Sequence, residues 1–77
     1  MPSTKRPPSA DRVVFGSRLR AERHRRGLTL EDVAALADMN WSYIAGLERG
    51  ERNVSIDNMS ALAGALGMPL WELLRPN

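Results

Sequence analysis

Residues 29–53 read TLEDVAALADMNWSYIAGLERGERN, and two consecutive helices are predicted within them. Thr29 and the acid three residues after it form a capping box, which predicts a short helix over 30–37. Asn40 is a typical cap for a second helix over 41–49. The two residues between these helices leave room only for a tight turn. The pattern therefore predicts a helix-turn-helix unit, whose second helix can enter a DNA major groove.

The second helix of this unit has two contrasting sides when it is projected at 100° per residue. One side is its buried seam and contains Ile44, Leu47 and Glu48. The opposite side is small and polar and contains Ser42, Ala45, Gly46 and Arg49. A major groove about 12 Å wide barely admits a helix, so small residues favour close approach to DNA. The alternative is that Ala45 and Gly46 make room for a neighbouring helix, and both interpretations fit the pattern.

Helix signals continue on both sides of the unit, and no alternating strand pattern appears. Ser9 can cap a first helix, and Gly27 fits the position just after its end. We therefore expect an all-α, compact five-helix bundle in one domain over 9–77, with helices at about 10–26, 30–37, 41–49, 56–66 and 70–74. Residues 1–8 contain three prolines and predict a flexible basic tail. Lys5 and Arg6 could lie along a nucleic acid backbone, or the tail could serve only solubility.

The first helix has a short apolar stripe that runs into charged residues. Phe15 and Leu19 form the stripe, and one further turn reaches Glu22 and Arg23. A charge on a core-facing line is costly unless it is paired. We therefore expect a charge partner elsewhere in the chain.

Composition narrows the classes of function. The chain has 77 residues, no cysteine and a net charge of +2. Residues 1–26 carry eight basic and two acidic side chains, whereas residues 27–77 carry three and seven, and a basic cluster is a weak indication of polyanion binding. His24 fits a solvated surface position.

No nucleophile–base pair, carboxylate dyad, metal cluster or phosphate-binding loop is visible, so we expect no enzyme, no cofactor, no metal and no small-molecule ligand. No membrane span or signal peptide is visible, and we expect a cytoplasmic, nucleoid-associated protein.

Four phrases along the chain carry a family resemblance: FGSRLRAER, GLTLEDVA, SYIAGLERGERN and ALAGALGMPLWELL. In this order and spacing, the chain resembles the Cro/C1-type (phage repressor-like, XRE) helix-turn-helix regulators, which have a lambda repressor-like DNA-binding domain. The third phrase is most similar to restriction–modification controller proteins. The resemblance implies that Arg23 and Glu48 form a buried structural ion pair between the first helix and the recognition helix.

The resemblance also implies which residues contact double-stranded DNA. The base-contacting positions fall on Trp41, Ser42, Ala45 and Gly46, and the phosphate-contacting candidates are Thr29, Tyr43, Arg49, Arg52 and Asn53. Three positions depart from the family pattern. Trp41 stands where arginine or glutamine is usual, Leu30 where a glutamine often bonds phosphate, and Asp38 where glycine is usual in the turn.

The last helix has more apolar residues than it can bury inward. If Leu70 and Leu73 face the core, then Met68, Trp71 and Leu74 are left over and predict a homodimer interface, as is frequent in the family. The alternative is that Trp71 covers the core of its own bundle. The leading hypothesis is a dimeric transcriptional regulator on a palindromic operator. The rival is an antitoxin or protein-interaction module with the same fold.

Overall fold

The computed structural model describes residues 7–76, and within that range the chain forms five helices and no strand. This confirms the predicted all-α architecture with a helix-turn-helix. Lys5 and Arg6, predicted as part of a basic tail, lie outside the described residues. The helices are α1 (Ala10–Arg25), α2 (Leu30–Ala37), α3 (Trp41–Glu48), α4 (Ile56–Ala65) and α5 (Leu70–Leu73).

Each helix begins at the residue that the sequence predicted, because the capping residues are local signals. The Thr29 hydroxyl accepts a hydrogen bond from the Asp32 amide at 3.0 Å, and the Thr29 amide donates to the Asp32 carboxylate at 2.9 Å. These two bonds complete the predicted capping box. The bond from the Thr29 amide to the Asp32 carboxylate lowers the pKa of Asp32. Ser9 has the extended backbone of a cap, but its hydroxyl makes no capping hydrogen bond.

Four of the five helices end one residue earlier than predicted, because the last predicted residue is the cap itself. The turn between α2 and α3 depends on Asp38, whose φ of 56° lies in the left-handed region. Aspartate tolerates this conformation better than most residues do, which explains how the turn forms without the usual glycine.

The core lies between the inner faces of all five helices. Its buried apolar side chains are Phe15, Leu19, Val33, Ala34, Ile44, Leu47, Leu62, Ala63, Leu66 and Leu73. Helix α1 packs against α3 and α5, α2 packs against α3 and α4, and α4 packs against α5. Because α1 and α2 both support α3 from the core side, the opposite side of α3 faces outward.

Gly16 marks the closest approach between α1 and α3. A Cβ atom at this buried position would lie 2.9 Å from the Glu48 carbonyl oxygen and closer still to that of Leu47. A glycine is therefore required here for the two helices to pack at this distance. Gly16 was not among the residues predicted to be important, because the crossing of α1 and α3 leaves no local sequence signal. Across residues 7–76, no helix has both the length and the apolar character needed to cross a membrane.

Candidate nucleic-acid interface

A buried ion pair joins α1 to α3. The Arg23 guanidinium donates from Nε to Glu48 Oε2 at 2.7 Å and from Nη2 to Oε1 at 2.9 Å, and its Nη1 donates to the Leu28 carbonyl at 2.9 Å. The hydrogen bonds to Glu48 raise the pKa of Arg23. The ion pair implied by the family resemblance is therefore present. It fixes the rotation of α3 about its own axis and so determines which residues face outward.

Glu22, the neighbour of Arg23, is also paired, but with arginines that are close to it in sequence and not with a distant residue. Its buried carboxylate pairs with three arginines of the same segment, because residues three or four apart are neighbours on a helix surface: Arg18, Arg25 and Arg26. The hydrogen bonds from Arg25, followed by that from Arg26, lower the pKa of Glu22 to about 2. Two of these arginines also contact other parts of the protein: Arg26 donates to the Leu66 carbonyl, and Arg18 donates to the Glu72 carbonyl.

The outward side of α3 begins with two exposed residues. The Trp41 side chain is 50% exposed, and Ser42 is exposed. The Asn40 carboxamide oxygen accepts from the Ser42 amide at 2.8 Å and from the Ser42 hydroxyl at 2.6 Å. The cap therefore uses the hydroxyl proton of Ser42 and leaves its oxygen able to accept a hydrogen bond. One turn later, Ala45 is half-buried and Arg49 is exposed.

Gly46 does not lie open on this side of α3, as the sequence analysis expected for a base-contacting position. It is buried, and a Cβ atom placed on it would lie 2.6 Å from Cγ of Arg52. The covering group is a side chain from the loop after α3, so neither of the two interpretations of the small face describes Gly46. A helical projection shows the direction in which a residue points. It cannot show that a side chain from a later loop, here Arg52, covers that residue.

Arg52 and Tyr43 form one unit with Gly46. The Arg52 guanidinium lies over the face of the Tyr43 ring, with its carbon 5.4 Å from the ring centroid. The Tyr43 hydroxyl donates to the Asn53 carbonyl at 3.4 Å and accepts from Asn58 Nδ2 at 3.3 Å. The hydroxyl is thus held within the protein, and the exposed polar groups of this unit belong to Arg52 and Asn53.

Other basic groups surround the outward side of α3. Arg49 donates from Nε to Glu51 at 3.0 Å in an exposed ion pair. Arg20 of α1, which the sequence analysis did not single out, lines the same groove as Ala45 and Arg49. Arg20 belongs to the cluster of basic residues in the first third of the chain, and this cluster could have indicated its position near the interface. Thr29 is exposed at the amino end of α2, where the first amides of the helix have no backbone partner within it. Among residues 7–76, no cluster of three or more His, Asp or Glu is placed to hold a metal ion.

The surface around α5 carries two exposed apolar side chains. Trp71 is 59% exposed and Leu74 is 45% exposed, whereas Leu73 is fully buried. Trp71 therefore does not close the core of its own bundle, and the Arg75 guanidinium lies 5.8 Å from its ring centroid. Met68 is half-buried against the core, so it contributes less free surface than the sequence analysis expected.

The fold occurs in known proteins. A family model described as a helix-turn-helix domain matches residues 14–75. The control protein C.BamHI of Bacillus amyloliquefaciens is 38% identical over 64 residues, which cover 82% of this chain and 79% of the relative. The chain spans less than half the length of some other regulators that it matches.

Solved structures agree with this relation. The restriction–modification controller protein C.AhdI from Aeromonas hydrophila has 48% identity and a TM-score of 0.81, covering 84% of this chain and 98% of its own. The C.Esp1396I controller tetramer, solved in complex with its natural 35 base-pair operator, has 26% identity and a TM-score of 0.79, covering 86% of this chain and 91% of its own. This chain therefore belongs to the helix-turn-helix family of DNA-binding transcriptional regulators of the Cro/C1 type.

Proposed function

We propose that this protein is a sequence-specific transcriptional regulator that binds double-stranded DNA as a homodimer, with α3 in the major groove. The observation that carries the proposal is the outward side of α3. It presents Trp41, Ser42 and the small Ala45 to solvent, while the Arg23–Glu48 ion pair holds the opposite side against α1. The C.Esp1396I relative binds an operator, which supports the same use of the fold here. A regulator of this kind works at the nucleoid, in the cytoplasm.

Trp41, Ser42 and Ala45 are the proposed base contacts. Because the Ser42 hydroxyl donates to Asn40, the oxygen is free to accept from the amino group of cytosine or adenine in the major groove. The Ala45 methyl and the Trp41 ring are suited to apolar contact with thymine methyl groups. Trp41 cannot make the bidentate contact to guanine that an arginine makes at this position. Gly46, which is covered by Arg52, is not among the proposed base contacts.

Phosphate contacts position the protein on the duplex without specifying sequence. We assign this role to Arg49, Arg52 and Asn53 after α3, and to the outward-facing amides near Thr29 at the start of α2. Tyr43 contributes by supporting Arg52, because its hydroxyl is already held by Asn53 and Asn58.

A dimer follows from the small number of base pairs that one helix can contact. A second recognition helix about 34 Å away, one DNA turn, multiplies the specificity. Trp71 and Leu74 provide an exposed apolar surface for that association, with Met68 at its half-buried edge.

The test is selection of bound duplexes from a random-sequence pool. We expect an imperfect palindrome whose half-sites lie about one helical turn apart. Repeating the selection with Ser42→Ala is expected to relax the preference at a symmetric pair of positions. Arg52→Ala, the matched phosphate variant, is expected to weaken binding to every duplex and leave the selected sequence unchanged. Recovery of no enriched sequence by the wild-type protein would contradict the proposal.

A further inference from the structure

Gly46 and Arg52 are the basis of an inference that rests on the proposed DNA binding. We propose that Gly46 is a positioning residue, which holds the Arg52 side chain along α3 in the conformation that contacts a DNA phosphate. Gly46 itself touches no DNA in this arrangement. Its contribution is the space that a side chain would otherwise occupy.

The space above Gly46 is filled by the stem of Arg52. A Cβ atom at Gly46 would lie 2.6 Å from Cγ, 3.5 Å from Cδ and 3.8 Å from Cβ of Arg52. Atoms do not approach to 2.6 Å without displacement, so any side chain at position 46 moves the Arg52 stem away from α3. The nearest atom, Cγ, lies near the base of the Arg52 side chain, so the contact is relieved by rotation about the Arg52 Cα–Cβ bond. Arg52 is exposed, so this rotation displaces the side chain and not the core.

The other end of Arg52 rests on Tyr43. Positions 43 and 46 are three residues apart and lie on one side of the helix. The guanidinium carbon lies over the Tyr43 ring, 5.4 Å from its centroid. The Tyr43 hydroxyl is hydrogen-bonded to Asn53 and Asn58. Arg52 is therefore supported at its stem by Gly46 and at its head by Tyr43.

This support has a direct consequence for binding. Immobilising a long side chain at an interface lowers affinity, and a side chain that is already ordered avoids that loss. Within the described part of the chain, Arg52 also forms no ion pair with a carboxylate, whereas the neighbouring Arg49 pairs with Glu51. Arg52 thus presents an ordered, uncompensated positive charge beside the outward side of α3.

Gly46→Ala separates this role from an ordinary packing role, because it is expected to change stability and binding in opposite directions. Alanine favours a helix interior over glycine, so the variant is expected to melt at or above the wild-type temperature. Its affinity for a random-sequence duplex about three turns long is expected to fall by about two- to tenfold per bound protomer. Gly64→Ala is the matched control, since a Cβ atom there meets nothing within 4 Å. It is expected to bind as the wild type does.

A double-mutant cycle identifies Arg52 as the route of the effect. In the Arg52→Ala background, adding Gly46→Ala is expected to cause no further loss of affinity, because the displaced group is absent. Equal losses from Gly46→Ala in both backgrounds, or wild-type binding by Gly46→Ala, would overturn the inference. Failure of the wild-type protein to bind any duplex would instead overturn the proposed function.

A measurement on the wild-type protein keeps the inference testable if Gly46→Ala does not fold. In free wild-type protein, NMR is expected to show upfield ring-current shifts for the Arg52 side-chain protons and reduced side-chain mobility. Arg20, which is exposed on α1, is the internal comparison. Shifts and mobility of Arg52 equal to those of Arg20 would show that no such positioning exists.

Discussion

Among residues 7–76, Glu22 is the residue that links stability most directly to pH. Its carboxyl has a pKa of about 2 in the folded protein, against an ordinary value of 4.5. The folded form therefore binds this proton more weakly than the unfolded form, so the ionised carboxylate stabilises the fold. We expect a contribution of at most about 3 kcal/mol, which is complete above about pH 4.5 and is lost as the pH falls toward 2.

The measurement is urea unfolding of wild type and Glu22→Gln at about pH 7 and about pH 3. Glu22→Gln is expected to be less stable at neutral pH and to lose less stability on acidification. Glu31→Gln, at an exposed position of α2, controls for the loss of one negative charge. Parallel pH dependences for wild type and Glu22→Gln would rule out this linkage.

The hydrogen-bonding role of a residue was predictable where its partner is close in sequence. Thr29 and Asn40 act on amides two or three residues later, and both caps are confirmed. Gly46 illustrates the opposite case, because the group that covers it comes from a loop whose path is set by tertiary packing. The partners of Glu22 are three or four residues away in sequence. This spacing brings side chains together on a helix, so these ion pairs could have been predicted.

Among the helices, the contact between α1 and α3 depends on the absence of a side chain at Gly16. We expect Gly16→Ala to force the two helices apart and to destabilise the fold by about 1–3 kcal/mol, although alanine is the better helix former. Chemical unfolding measures the change, with Gly64→Ala as the control for helix propensity in open space. A Gly16→Ala protein as stable as Gly64→Ala would show that α1 and α3 can separate without loss.

The same two helices are joined by the Arg23–Glu48 ion pair. Removing one partner leaves a buried charge without compensation, so we expect Glu48→Ala to lose about 3–5 kcal/mol and, with it, DNA binding. Glu51→Ala is the control, because its ion pair with Arg49 is exposed and is expected to contribute about 1 kcal/mol or less. Thermal unfolding followed by circular dichroism measures both. A melting temperature of Glu48→Ala near that of wild type would contradict the structural role of the pair.

Element positions were largely predictable, whereas distances between elements were not. Capping residues and apolar spacing are properties of short segments, and they located the start of every helix. The close approach at Gly16 depends on how α1 and α3 cross, which no short segment specifies. The Arg23–Glu48 pair was reached through family resemblance, supported by the inward direction of both residues.

In the molecule as a whole, α1 connects the proposed DNA-binding surface to the proposed dimer surface. Its Arg23 is bonded to Glu48 of α3, and its Arg18 donates to the Glu72 carbonyl within α5. Arg26, the C-cap of α1, donates to the Leu66 carbonyl at the end of α4. Polar groups therefore fix α3 and α5 to the same helix. This rigidity matters for a dimer, because the spacing of the two recognition helices must match one turn of DNA.

Trp71 tests whether the molecule works as that dimer. The ring is 59% exposed beside the exposed Leu74, and burial of an aromatic anchor of this kind is typically worth about 2 kcal/mol or more at an interface. We expect Trp71→Ala to weaken self-association at least about 30-fold, measured by sedimentation over a range of concentrations. Leu36→Ala removes an equally exposed apolar side chain from α2 and is expected to associate as wild type does. Because Trp71 lies outside α3, its loss is expected to lower affinity for a palindromic site far more than affinity for a single half-site. A concentration-independent monomer mass for both wild type and Trp71→Ala would exclude this interface and require another way to place two recognition helices on one operator.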